Sequence, residues 1–361
     1  MKNMLIASMV GVFLSAGSVL ASERLPTTSP VLTANTYLDV ARAGTRVVAV
    51  GDRGYIVYSD DEGGSWQRAE VPTGVLLTAV CFADARHGWA VGHDAKVLGT
   101  RDGGRTWEEQ YADVLDAAGR RDEDEFEDDY DDYDDYDDFD DDLYGDYEDE
   151  SGALEAGAQD TSGAPLLDVI CLGRDHAIAV GGYGYMLETK DGGEHWKKVM
   201  DRLNNAEGWH LNAIAAVAGT STLLAAGEKG LLFRSRDQGL SWQSLNSPYE
   251  GSFFGLTPLA DGAVLAYGLQ GNLWLTRNQG DSWRKINTGV TRGINQGVQL
   301  DDGTVVLVGG AGVVLVSRDG GNSVTLQYLR DRESVSSLLP LAGSDMVMVG
   351  DSGIRVKQDI R

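Results

Sequence analysis

From Tyr37 to the C-terminus, short apolar runs alternate with glycine-rich polar punctuation. The runs VVAVGDRGYIVYS, GWAVGHDAKVLGT, AIAVGGYGYMLET, LLAAGEKGLLFRS, VLAYGLQGNLWLT, VVLVGGAGVVLVS and MVMVGDSGIRVKQ are copies of one unit. Each reads as two β-branched or aromatic strands joined by a tight turn, whose glycines permit positive φ. The leading glycines are Gly51, Gly92, Gly181, Gly227, Gly268, Gly309 and Gly350, spaced by 41, 89, 46, 41, 41 and 41 residues. The 89 is one period plus an insertion. A period of about 40–45 residues with several strands per unit predicts an all-β chain, a β-propeller of seven blades.

A second motif follows six of the seven copies: Ser/Thr, any residue, Asp, any, Gly, any, any, Trp. Its positions are Asp61 and Trp66, Asp102 and Trp107, Asp191 and Trp196, Asp237 and Trp242, Asn278 and Trp283, and Asp319, with Val324 in place of the last Trp. The Asp is expected to accept hydrogen bonds from backbone N–H groups of a turn, and the Gly to take the left-handed conformation. The Trp then opens the next strand and packs between neighbouring sheets. This Asp-box reads as a structural staple at the third hairpin corner; the alternative is a sugar or ion site.

The segment before each copy, such as LLTAVCFAD, supplies an inner strand. The last copy ends without an outer strand, so Ser29–Asn35 is expected to provide it and close the ring, removing an exposed edge. In a four-stranded meander alternate loops share a face. The boxes and first hairpin loops occupy one face; the Gly-turns and blade-to-blade connectors occupy the other. An insertion over residues 112–164 replaces the connector between blades two and three and hangs from the Gly-turn face.

The N-terminus changes the picture of location. Residues 1–21 carry Lys2, an apolar run and a small-residue end, the pattern of a cleaved secretory signal. Residues 22–361 then form an exported propeller, periplasmic or lumenal, without a further membrane-spanning segment. The net charge of −26 is local in origin: residues 122–150 hold 20 Asp/Glu and no Lys or Arg, and taking those 20 charges from the total leaves −6. Such a tract cannot bury a core and is expected to be disordered. It reads as a solvating loop, with calcium binding by its carboxylates or tethering of a basic segment as alternatives. Nucleic acid is excluded as a partner for want of clustered positive charge.

Catalytic signals are absent from the pattern. His87, His93, His176, His195 and His210 show no metal-ligand spacing, and no nucleophile elbow or phosphate loop occurs. No metal, cofactor or catalytic residue is expected. Cys81 and Cys171 fall in inner strands of blades two and three, in the contexts AVCFAD and VICLGR. Two packed thiols are favoured slightly over a disulfide.

Sialidases and xyloglucanases share only the boxes. The pairing of AVGDRGYIVYSDDEGGSW with WAVGHDAKVLGTRDGGRTW resembles, over nearly the whole mature chain, the photosystem II stability/assembly factor family. That resemblance implies a seven-bladed, non-enzymatic propeller that docks onto a membrane protein complex or its assembly intermediate from the lumenal side. Similar exported propellers of non-photosynthetic bacteria include accessories of RND-type exporters. The rival reading is a glycan-active or glycan-binding propeller, whose sign would be an axial cleft gathering carboxylates and aromatic platforms. The partner surface is expected on the Gly-turn face, where topology clusters Trp209, His210, Tyr249, Phe253, Phe254 and Arg292.

Overall fold

The computed structural model describes residues 30–113, 163–341 and 345–357. Each repeat folds as an antiparallel meander. Blade one runs through Tyr37–Ala43, Arg46–Gly51, Ile56–Ser59 and Gln67–Arg68, ordered from the axis outward. Five further sheets have four strands, and among the described residues the seventh has three: Ser337–Pro340, Met346–Gly350 and Gly353–Lys357. The second strands, such as Arg46–Gly51 and Val305–Gly309, are buried along their whole length. Both faces of each blade pack on neighbours, which is why these strands are written as continuous apolar runs rather than in alternation. The core is therefore divided among the blade interfaces. Val48, Val50 and Ile56 of blade one meet Leu77, Val80 and Leu98 of blade two, and Val47 and Ala49 meet Val347 and Val349 of blade seven.

The leading glycine of each turn has a reason other than positive φ. Gly51 is extended (φ −177°), but a Cβ there would lie 2.2 Å from the Thr36 carbonyl oxygen. The left-handed residues are the next two along the turn's end, Arg53 (φ 52°) and Gly54 (φ 67°) in blade one.

Among the described residues the expected closing strand is not formed. Pro30–Thr33 makes one helical turn. Leu32 is 1% exposed and sits in the cluster of blades seven and one, while its carbonyl accepts a 2.6 Å hydrogen bond from the Tyr37 hydroxyl. Pro at the first helical position pre-sets φ for such a turn. Thr33 thus lies against blade seven at Gly353, where a Cβ would come within 1.7 Å of the Thr33 carbonyl oxygen.

A ring of hydrogen bonds surrounds the axis. Asp39 accepts from Val80 N (2.9 Å) between blades one and two, and Thr78 Oγ1 donates to Leu166 O (2.7 Å) between two and three. Asp168 accepts from Ile214 N (2.8 Å), and Asn212 donates to Phe253 O (2.7 Å). The Tyr267 hydroxyl donates to Gln296 (3.0 Å), Asn295 to Val335 O (2.8 Å), and Ser337 to Asp39 (2.8 Å). Each of the seven interfaces has such a bond.

The two cysteines correct the expectation of free thiols: Cys81 and Cys171 form a disulfide. Cys81 pairs with Trp89 and Cys171 with Ala177 near the same end of their inner strands. Inner strands converge around the axis, which brings the two Cα atoms to 5.8 Å, well inside bridging range.

Candidate partner-binding face

The box face is occupied by its own chemistry. Asp61 accepts from Ser65 N (2.8 Å) and Ser65 Oγ (2.6 Å), and Asp102 accepts from Arg105 N and Thr106 N (3.0 and 3.1 Å). Asp191, Asp237 and Asp319 each accept from a backbone N–H four residues on, as does Asn278 from Ser282 N. Hydrogen bonds from the adjoining Ser or His hold the Asp191, Asp237 and Asp319 carboxyls down to about 2. Trp66, Trp107 and Trp196 are buried, and the first two donate to box glycine carbonyls. Trp242 and Trp283 are only half-buried. The glycines Gly63, Gly104, Gly193, Gly239, Gly280 and Gly321 take positive φ, as the turn requires.

On the opposite face the expected residues form a broken arc. His210 stacks edge-on against Tyr183 with ring centres 5.0 Å apart, and its backbone N–H donates to Glu228. Trp209 is half-buried, held by two hydrogen bonds to Asn205, with the Lys229 ammonium 5.5 Å above its ring. That contact is a cation–π pair. Tyr249 is half-buried between Phe253 and Trp274 and donates to the Leu269 carbonyl. Phe254 is exposed at the mouth of the axial channel, and its ring approaches Gly293 beside the exposed Arg292.

Phe253 must be removed from the expected set. It is 0% exposed and belongs to the cluster between blades four and five. It opens an inner strand, and successive residues of a strand point to opposite sides, so Phe253 turns into the blade interface and Phe254 out of it. Two residues of the face escaped the sequence reading. Tyr183 (49% exposed) and Lys229 occupy the left-handed position of their Gly-turns, with φ of 54° and 52°. That position projects its side chain from the turn's apex. In sequence each is the residue before the second glycine of its turn, a position that turn chemistry alone accounts for. Leu269 is likewise exposed on this face.

The channel along the axis encloses about 470 Å³ and is lined by the inner strands. It contains Asp39 and Asp168, the carboxylate pair that would signal a glycan site. Asp39 accepts from Val40 N, Val80 N and Ser337, and Asp168 from Val169 N and Ile214 N. Their oxygens are committed to holding blades together. Burial pushes Asp39 up to about 6 and Asp168 to about 7, against the opposing pull of those hydrogen bonds. Among the described residues of the lining, Phe254 is the one aromatic.

The described ends of the insertion lie beside the Gly-turn of blade two, where Asp113 N donates to Asp94 O and Ala95 N to Ala164 O. Gly163 N donates to Asp113 O (2.6 Å), so its two ends meet, and Asp113 is fixed by Tyr185 (2.7 Å) and Lys198. The acidic tract and its calcium alternative lie outside the described residues, as does the signal segment. Among the described residues, no helix is long and apolar enough to cross a membrane, and no cluster of His, Cys, Asp or Glu could hold a metal ion.

The family model described as photosynthesis system II assembly factor YCF48 matches residues 59–123 and 158–299, more than half of the chain. The chain belongs to this family. Curated relatives include the photosystem II assembly protein Ycf48 of Thermosynechococcus vestitus, 44% identical over 43 residues, 12% of each chain. The chloroplastic photosystem II stability/assembly factor HCF136 of Cyanidioschyzon merolae is 46% identical over 48 residues, 13% of this chain and 11% of that one. The chain matches only these small shares of both relatives' length. Solved structures share the fold across nearly the whole chain. YCF48 bound to D1 peptide has a TM-score of 0.62 at 18% identity, covering 94% of this chain and 96% of that one. YCF48 from Cyanidioschyzon merolae has a TM-score of 0.61 at 16% identity, covering 93% and 97%. The WD40 propeller of Doa1 gives 0.61 at 14%, so the likeness to these structures shows the seven-bladed fold alone.

Proposed function

We propose that this propeller is an assembly or stability factor that binds a protein segment of a membrane complex and performs no catalysis. Membership of the YCF48 family supports the role, and the relative solved with a D1 peptide supports a peptide segment as the thing bound. The observation that carries the reading for this chain is the Gly-turn face of blades three to six. There Tyr183, Trp209, His210, Lys229, Tyr249, Leu269 and Arg292 form a broken arc on the Gly-turns and connectors, with Phe254 at the channel mouth. Aromatic and cationic side chains dominate binding energy at protein interfaces, and connectors differ where blades repeat. The matched family and relatives carry names of photosystem assembly; none of them points to an exporter accessory.

The reading extends to placement on the exported side of a membrane, through the N-terminal signal pattern. The carboxylates of the channel speak against glycan hydrolysis: acid–base work needs a carboxyl free to meet substrate, and these are engaged by backbone donors. The test is recovery of the membrane partner from native membranes on the immobilised chain. Trp209→Ala, Tyr249→Ala and Arg292→Ala, each shown to fold, are expected to cut recovery, while Leu240→Ala on the box face leaves it unchanged. Undiminished recovery with the first three variants would sink the assignment of the face.

A further inference from the structure

The axial channel has a layered wall. At its Gly-turn end each inner strand contributes the residue that follows the partner of the leading glycine. In blades two, four and six this residue is Thr78, Asn212 and Asn295, and each donates its polar group to a backbone carbonyl of the next blade. In blades one, three and five it is Leu38, Leu167 and Phe254, which line the same channel and supply the apolar part of its rim. One residue further along the strands stand Asp39 of blade one and Asp168 of blade three, both half-buried in the lining.

Among the described residues of the lining there is no Lys, Arg or His, so the two carboxylates meet no counter-charge in the channel. Val169 N and Ile214 N each donate to one oxygen of Asp168, while Val40 N, Val80 N and Ser337 donate to Asp39. A carboxylate has about four acceptor positions, so about two remain on Asp168 and about one on Asp39. The bonds fix both groups without cancelling their charge, and burial raises Asp39 to about 6 and Asp168 to about 7. The neighbouring Tyr267 hydroxyl is also raised by burial and is bonded to Thr257 and Gln296, so it stays neutral. A buried carboxylate without a counter-charge is relieved by a proton or by a cation.

We propose that the Gly-turn mouth of the channel is a socket for a lysine side chain of the bound partner segment. The aliphatic stem lies against Leu38, Leu167 and Phe254 while the ammonium reaches Asp39 and Asp168; long cationic side chains divide in this way between apolar and polar surroundings. The ring of Phe254 adds an attraction for the cation. Two carboxylates that approach from different blades suit a compact ammonium with three donors better than the planar fork of an arginine. The inference rests on the reading of this chain as a propeller that binds a protein segment, and it names the side chain that the channel mouth selects.

The test uses the full chain and the peptide acetyl-Gly-Lys-Gly-amide, with norleucine in place of Lys as the control. Binding is read from the NMR shifts of the Val169 and Ile214 amides, which bond Asp168. The Lys peptide is expected to bind about tenfold more tightly than the control, the value of one charge-assisted hydrogen bond. Its affinity is expected to rise from pH ~5 to pH ~8, because the ammonium takes the place of the proton that the carboxylates hold at low pH. Asp168→Asn should remove most of the preference for Lys, and Phe254→Ala should weaken both peptides. Equal affinity of the two peptides for the unsubstituted chain would overturn the proposal, as would an affinity for the Lys peptide that does not change with pH. So would amide shifts produced by calcium chloride but not by the Lys peptide, which would make the channel a metal site. The tripeptide carries nothing else of the native partner, so the two readings fail separately. A chain that prefers the Lys peptide but recovers no membrane partner keeps the socket and refutes the assembly role; recovery of the partner without that preference refutes the socket alone.

Discussion

Ser337 and Asp39 stand 298 residues apart in sequence, yet the Ser337 hydroxyl donates to Asp39 Oδ1 at 2.8 Å. Asp39 also accepts from Val80 N at 2.9 Å, so one carboxylate joins blades seven, one and two. It is the polar counterpart of the apolar seam where the last blade meets the first. Asp39→Ala is expected to lower stability by about 1–3 kcal/mol, and Ser337→Ala by about 1 kcal/mol. In a double-mutant cycle by chemical denaturation the pair should be less than additive. Strict additivity would show that the bond contributes nothing to closure.

The same carboxylates set a pH dependence. Burial raises Asp39 to about 6 and Asp168 to about 7, above the ordinary carboxyl value of 3.8 expected in the unfolded chain. The folded state then binds the proton more tightly, so this contribution is complete below pH ~4 and is lost as pH rises through 6 to 7. The box carboxyls, held down to about 2, act oppositely, but their contribution is lost only as pH falls below about 4. The chain should therefore melt higher at pH ~5 than at pH ~8, by roughly 2–4 °C. Asp168→Asn should flatten that slope. A melting temperature that rises steadily from pH 5 to 8 would contradict the assignment.

The Cys81–Cys171 disulfide closes a loop of sequence separation 90, and that loop contains the insertion. Cross-linking so long a loop restricts the unfolded chain, by about 2–5 kcal/mol. Reductant, or the pair Cys81→Ala and Cys171→Ala, should lower the melting temperature and speed hydrogen exchange along the seam of blades two and three. Titration of the denatured, unreduced protein should find no free thiol; two would contradict the bridge.

Leu32 is the anchor of the N-terminal turn. Leu32→Ala should cost about 2–5 kcal/mol, the usual range for a buried leucine. Removing residues 1–29 should leave the melt nearly unchanged, while removing 1–35 should lower it sharply. Equal effects of the two truncations would mean that the turn is not what holds the segment.

The two ends of the insertion already meet through Gly163 N and Asp113 O. Excising residues 114–162 and joining the ends with a short Gly/Ser linker should leave the melting temperature within about 2 °C, because the closure geometry exists without the excised chain. A large fall in melting would show that the excised residues pack.

The sequence alone determined the number of blades, the strand and turn within each and the Asp-box corners. These are local signals repeated at a fixed period. A strand of VVAVG and an Asp beside its own turn are specified by residues a few positions apart, whereas the clearance of Gly51 from the Thr36 carbonyl depends on the neighbouring strand. The tertiary structure decided whatever depends on two distant segments meeting. Cys81 and Cys171 have alike contexts, but only the convergence of inner strands at the axis puts them 5.8 Å apart. Phe253 and Phe254 are indistinguishable as letters; the pleat buries one and exposes the other. Ser29–Asn35 had the right place in the chain to close the ring, yet a single turn anchored by Leu32 is too short to show a period. Arg355 reads as one more residue of a repeat; only the folded chain brings Asp331, 24 positions away, to within 2.9 Å of its guanidinium.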